Sequence, residues 1–290
     1  MQIRLAEVRT SGRLVAVLPS IGLSVAVALF VLPAFIHGVE VWSTDEEFTY
    51  GFLIPPLVVG IIWWERASLS GNMGRGAWPG LLIVIAAMVL ALIGKRAGIH
   101  ALAGVATSPL LWGIAVYLWG WRAGRVLAFP LGFLVFGLGL YRGLLSSLGF
   151  ALQNITAVGA AWSGHLLGLS VVRDGLILQS SSFAFVVAQT CSGMSSLLSL
   201  LALAALLVYA TRGSLPGRFA VILSVTPLVL LANTARVTLV LVVATWFGQD
   251  AALGFFHGAS SLVLFGSALG GVIAVSRVVG CRLPAFASSF

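Results

Sequence analysis

"AQTCSGMSSLLSLLALAALLVYATR", residues 188–212, is an apolar run of membrane-span length with Cys191 near its start and Arg212 at its end. A polar, strand-like stretch precedes it. Read as a transmembrane helix, the run places its thiol where the helix meets water. A thiol deep in hydrocarbon would be inert, and one in a loop would need no membrane. The edge position points to chemistry at a membrane surface.

The rest of the chain is of the same kind. Its 290 residues are 60% hydrophobic and 8% charged, with a mean hydropathy of +1.09. Soluble domains carry roughly 25% charged residues, so this chain cannot cover a water-facing surface. It reads as an all-α polytopic membrane protein. Eight apolar segments fall near 14–36, 48–64, 79–94, 101–120, 126–142, 192–211, 219–245 and 258–276. Arg4, Arg9 and Arg13 precede the first, as in a signal peptide, but its apolar part is long and lacks a cleavage site, so it reads as a retained span. Segment 144–169, with Asn154, Ser163 and His165, is less apolar and reads as an amphipathic helix, interfacial or packed inside the bundle. "VVRDGLILQSSSFAFVV", residues 171–187, breaks β-forming runs with Arg-Asp-Gly and a serine triplet. It predicts a small extracytoplasmic β-hairpin, a rim or peptide-docking edge. With no repeat and no linker, residues 1–290 read as one integral-membrane domain whose catalytic region is 171–276.

Sixteen basic residues oppose eight acidic ones. They are scattered, which argues against nucleic-acid binding and for anchored cytoplasmic loops. With both termini inside, Arg66, Arg75, Arg122, Arg125, Arg212, Arg218, Arg277 and Arg282 share one side, while Lys95, Arg96, Arg142 and Arg173 oppose them. A crossing by 144–169 would reverse everything after it. This topology separates Cys191 from Cys281, which reads as a bystander in a cytoplasmic tail. Trp42, Trp63, Trp64, Trp112, Trp119, Trp121 and Tyr50 read as interfacial belt.

Three polar residues stand out. Arg236, in "LLANTARVTLVLVV", lies inside a span, where a charge costs roughly 2.5–3.5 kcal/mol on insertion scales and so faces a cavity or partner. Asn233 is on the same helical face. His257 lies where a loop enters the last span. Measured along helices from the arginines Arg212, Arg218 and Arg277, Cys191, Arg236 and His257 stand at roughly 32, 27 and 30 Å, about one hydrocarbon thickness. Each has a bland reading: packing for the cysteine, ion pairing for the arginine, a structural role for the histidine. Their shared level favours a site. Ser192 and Gly193 place Cys191 at a helix start, where backbone N–H groups and the helix dipole would lower its pKa, and Gly193 leaves room for a carbonyl. Zinc-protease, P-loop, paired-carboxylate and Cys-x-x-Cys patterns are missing, so metal, nucleotide and redox cofactors are unsupported.

At these residues the chain resembles the exosortase/archaeosortase family of membrane cysteine transpeptidases. "TCSGMSSLLSL" around Cys191, "ANTAR" ending in Arg236, and His257–Gly258 carry the likeness. "FTYGFLIPPLVVGIIWWER", "VLAFPLGFLVF" and "GLILQSSSFAFVVAQTCSG" extend it over most of the chain. Tyr50 stands where the family commonly has histidine, and "GLGLYRG" lacks a proline-containing turn. The resemblance implies a multi-pass protein of the bacterial cytoplasmic membrane with its site facing the periplasm. Its substrates would be exported proteins ending in a sorting signal: a Pro-Glu-Pro-like motif, a span and a basic tail. Cys191, Arg236 and His257 would be catalytic, with Asn233 and Asp250 in support. A lipid or envelope glycan would be the acceptor. The rival reading is a small transporter or channel with Arg236 as an anion site. A membrane acyltransferase using His257 lacks the expected acidic partner.

Overall fold

The computed structural model describes residues 31–137, 142–180, 183–187 and 193–281. Cys191, Ser192 and most of the expected first span lie outside them. The chain is almost entirely helical. Residues 31–44 form α1, and a 3-10 segment, Glu46–Leu53, leads into α2, Ile54–Trp64. Then follow α3 (Arg66–Asn72), α4 (Pro79–Arg96), α5 (His100–Phe133) and α6 (Arg142–Leu166). Three short strands come next, β1 (Val172–Asp174), β2 (Ile177–Gln179) and β3 (Ala184–Val186). The last helices are α7 (Met194–Ala210), α8 (Leu215–Phe247), α9 (Gln249–Leu253) and α10 (Phe255–Val278). Proline in the first turn starts α2, α4 and α8, where its missing N–H costs nothing. The Ser214 hydroxyl also caps α8, accepting from Gly217 N at 3.2 Å.

Three stretches are long and apolar enough to cross a membrane, Glu47–Trp64, Pro79–Arg96 and Leu215–Phe247, with Met194–Ala210 and Leu262–Val278 as shorter apolar helices. Eight spans are therefore not reached on length and apolarity among the described residues. The interruptions explain the difference. Gly120 leaves helical geometry at φ 83°, ψ 175° and divides α5 in two. Trp112 Nε1 donates to Gly124 O at 2.7 Å, and its ring meets Trp121 edge-on at 5.8 Å. In a straight helix twelve residues would separate those positions by about 18 Å, so the chain doubles back at Gly120.

Two compact units emerge. The first holds residues 31–45 and 51–137; the second holds 46–50 and everything described from residue 142 on. In the first unit, α4 and the first limb of α5 form an antiparallel hairpin at backbone distance. A Cβ on Gly80 would lie 2.4 Å from Tyr117 N, and one on Gly120 would lie 2.6 Å from Arg75 O. Trp42 belongs here rather than to an interfacial belt: it is buried and its Nε1 donates to Gly137 O. Trp112 is only half-buried and donates to Gly124. Trp63 and Trp64 stay about two-thirds exposed, with the Arg66 guanidinium 4.7 Å from the Trp63 ring centroid.

In the second unit, α7, α8 and α10 share a core of Leu200, Ala204, Val221, Val225, Val229, Ala268 and Val272. Cys281 is a free thiol buried in this same core, not a residue of a solvated tail. Helix α6 does not lie across the end of the bundle. Its contacts Thr156–Asn233 and Gly159–Thr234 advance together along both chains, so it runs parallel to α8. It is also inverted relative to a surface helix in water. Leu148, Ile155, Val158, Trp162 and Leu166 face outward, while Gln153, Thr156, Ala157, Ala160 and Ala161 are buried. The expected hairpin is a three-stranded antiparallel sheet in the order β1-β2-β3. Leu178, paired with Arg173 and Phe185, turns inward and joins Val171, Phe183, Val187 and the Val240–Ala244 end of α8 in a second core. His165 Nε2 donates to Val171 O at 2.6 Å, and Arg173 Nη1 to Asn154 Oδ1 at 3.1 Å. Both tie the sheet to α6.

Candidate active site

Helix α8 runs for 33 residues, about 50 Å, with no acidic side chain along its length. Asn233 is buried at 6% exposure, in a helix that otherwise buries apolar, small and hydroxyl groups. Such a group must be hydrogen-bonded. Its Nδ2 donates to the Thr156 hydroxyl of α6 at 3.0 Å, and Thr156 is itself fully buried. Arg236 follows one turn later and is half-buried. Both line a small cleft among three helices, with Ser196 of α7 and Leu264, Phe265 and Ala268 of α10 completing its wall. Arg236 thus lines a cleft whose wall is apolar on the α10 side, the kind of setting that a charged side chain within a span requires.

Gly193 caps α7 at φ 76°, ψ 11°, a left-handed conformation that costs most residues about 1–2 kcal/mol. A Cβ there would stand 3.2 Å from Asn233 Cγ and 3.3 Å from its Nδ2. The glycine is required twice, by its backbone angle and by the side chain against it. The contact with Asn233 is one that the sequence alone does not show. Gly193, the cap of α7, is thus seated on the amide that lies one turn below Arg236.

On the other side of the cleft, α10 runs antiparallel to α8. Gly217 meets Val279, and Gly271 meets Leu228; Asn233 shares its cleft with Leu264 and Phe265. Continued upward, that register sets position 257 of α10 opposite about residue 240 of α8, roughly one turn beyond Arg236. The side chain of His257, like Cys191 and Ser192, lies outside what is described. Asp250 is exposed in the first turn of α9. Tyr50 falls in the second unit with its hydroxyl oxygen buried.

The structure therefore brings together Gly193, Asn233 and Arg236. It adds Thr156 and Ser196, which sequence reasoning alone does not single out. Thr156 had a signal: Gln153, Thr156, Ala157 and Ala160 recur at helical spacing within α6, and this small and polar face, not the bulky apolar one, is buried. Among the described residues no group of three His, Cys, Asp or Glu side chains is placed to hold a metal ion.

No curated protein and no solved structure matches the chain. A family model described as transmembrane exosortase matches residues 42–274, about four-fifths of the chain, and spans every residue of the cleft. The chain is a multi-pass membrane protein that belongs to the transmembrane exosortase family.

Proposed function

We propose that this protein is a cysteine transpeptidase that cleaves the C-terminal sorting signal of exported proteins and passes them to an envelope acceptor. One observation carries the reading. Arg236 opens into a cleft beside Asn233, and Asn233 supports Gly193, the second residue after Cys191. Two trans peptides span at most about 7 Å, so a nucleophile at Cys191 is tied through the chain to the Gly193 contact. In the proposed reaction Cys191 Sγ attacks the backbone carbonyl after the sorting motif. Arg236 stabilises the thiolate and the oxyanion that develops on that carbonyl. His257 gives a proton to the leaving amine as the C–N bond breaks, leaving a thioester on Cys191. It then takes a proton from the incoming acceptor, a lipid or envelope glycan amine, whose attack releases the thiolate. Asn233 positions Arg236, and Asp250 orients His257. The scissile bond lies just outside the substrate's own span, and the site faces the periplasm across the bacterial cytoplasmic membrane.

Co-expression with a sorting-signal protein tests this. Wild-type enzyme shortens the substrate, and mass spectrometry detects a substrate–Cys191 thioester when acceptor is withheld. The Cys191→Ala variant accumulates in the membrane and processes nothing. Normal processing by that variant ends the proposal. Anion flux that survives the substitution would instead make the protein a transporter with Arg236 as its ion site.

A further inference from the structure

The pairing of Thr156 with Asn233 joins residues 77 positions apart in the chain and is buried on both sides. Within a helix that otherwise buries apolar, small and hydroxyl groups, a buried amide is an expensive feature to maintain. A buried amide without its partner would leave a polar group uncompensated. A packing role alone would be served by valine and leucine at the two positions. The side chain so fixed does one further thing: its Cβ, Cγ and Nδ2 form the surface against which Gly193 rests. Gly159, one turn from Thr156, lets α6 close onto Thr234 of α8, where a Cβ would come within 2.8 Å of its methyl. The α6–α8 approach that sets the hydrogen-bond distance is therefore itself built in. Thr238, one turn above Thr234, bonds its own helix carbonyl, Oγ1 to Thr234 O at 2.8 Å, so the adjacent hydroxyl is spent locally and does not substitute.

We infer that Thr156 is a positioning residue for catalysis: from α6 it fixes the Asn233 amide, and through that amide Gly193, the cap of α7 that follows Cys191 by two residues in the sequence. It touches no reacting atom. It acts through Asn233 and Gly193, and it makes α6 part of the active site although that helix carries no catalytic group. The inference rests on the cysteine transpeptidase reading, and its test separates the two.

The experiment uses full-length enzyme in detergent or proteoliposomes, with Thr156→Val and Thr156→Ser beside the wild type. Valine keeps the volume and removes the hydroxyl; serine keeps the hydroxyl. Two readouts are taken: kcat and KM for a sorting-signal substrate, and the pH profile of Cys191 alkylation by iodoacetamide with Cys281 replaced by Ala. The alkylation needs no turnover. Displacing a catalytic group by about 1 Å costs on the order of 100-fold in rate, so Thr156→Val is expected to lower kcat about 10- to 100-fold with KM little changed. Its alkylation profile is expected to move toward higher pH, as the thiolate loses its fixed cation. Thr156→Ser is expected to restore both. A valine variant that keeps wild-type kcat and an unmoved alkylation profile overturns the inference, as does a serine variant as impaired as valine. If Thr156→Val does not accumulate, Asn233→Asp and Asn233→Leu take its place. The same two readouts then apply: lower kcat with a shifted alkylation profile supports the inference, and wild-type values of both overturn it. Full processing by Cys191→Ala would instead refute the catalytic reading, whatever the Thr156 variants do.

Discussion

The two units solve the same packing problem in opposite ways. In the first, helices touch through backbone. Gly80 and Gly113 bring α4 and α5 so close that an added Cβ meets peptide atoms, and the indole N–H groups of Trp42 and Trp112 end on carbonyls of their own unit. Buried polar side chains there are hydroxyls, Thr107 and Ser108. In the second unit the core is aliphatic near the Gly217–Val279 end of α8. Higher up it admits an amide and a guanidinium. Lipid offers no hydrophobic gain for bringing helices together, so small residues and dispersion suffice for a scaffold. Polar groups at membrane depth are retained where they perform chemistry. On the proposed function the first unit is scaffold and the second carries the chemistry, and substitutions in each should then fail in different ways.

The largest effect is expected at Arg236. Removing one preorganised stabiliser of a developing oxyanion costs about 100- to 1000-fold in rate, so Arg236→Ala should lose that much processing while accumulating normally. Arg236→Lys should recover only part, because an ammonium lacks the planar fork. A substrate-cleavage assay and membrane immunoblotting read the two quantities. Loss of protein instead of loss of rate would place Arg236 in the structural class and erase the contrast.

Gly80→Val should do the reverse. The clash is with Tyr117 N and Gly113 O, atoms that no rotamer change can move. Overpacking of this kind costs typically 1–3 kcal/mol. The expected outcome is poor accumulation, with the surviving fraction showing near-normal turnover per molecule. Active-site titration against total protein distinguishes this from a catalytic defect.

How far the sequence discloses this contrast depends on which atoms carry it. Apolar run lengths announce the helices, and alternating β-formers announce the sheet. Cys191, Arg236 and His257 announce themselves because a membrane should not tolerate them. Less visible are contacts made by backbone. The boundary between segments 101–120 and 126–142, with Arg122 and Arg125 between them, announces the reversal, but not that a single glycine, Gly120, makes it with helix on either side. The amphipathic pattern of α6 leaves two readings open, interfacial or packed inside the bundle, because the pattern does not say which face is covered; here bulk faces outward and the polar face packs on α8. The third strand is hidden by the serine triplet, which reads as a turn. Thr156 escapes notice because hydroxyls are commonplace in a span until a partner is found 77 residues away.

Gly193→Ala sits on the boundary of the two classes. Alanine at φ 76° costs about 1–2 kcal/mol, and its methyl would press on Asn233 at 3.2 Å. The cost falls at the end of α7, away from the aliphatic core, so accumulation should be nearly unaffected. Processing should drop about 10-fold, matching that strain through the RT scale. A pure stability loss, seen as a lower melting temperature with unchanged turnover, would show that the Gly193–Asn233 contact is packing alone.

The smallest effect belongs to Trp112→Phe. The ring edge against Trp121 is kept, and only the Nε1 bond to Gly124 O is lost. That carbonyl belongs to a helix and keeps its own backbone donor, so no buried group is left bare. The net cost is that of one ordinary hydrogen bond, about 0.5–1.5 kcal/mol. It should appear as a modest fall in thermal stability of the detergent-solubilised protein, with turnover unchanged. Because the bond closes the α5 reversal at Gly120, the substitution asks how tightly that hairpin is coupled to the chemistry. If turnover fell as far as in Gly193→Ala, the first unit would be more than a scaffold, and the line drawn between the two regions would have to move.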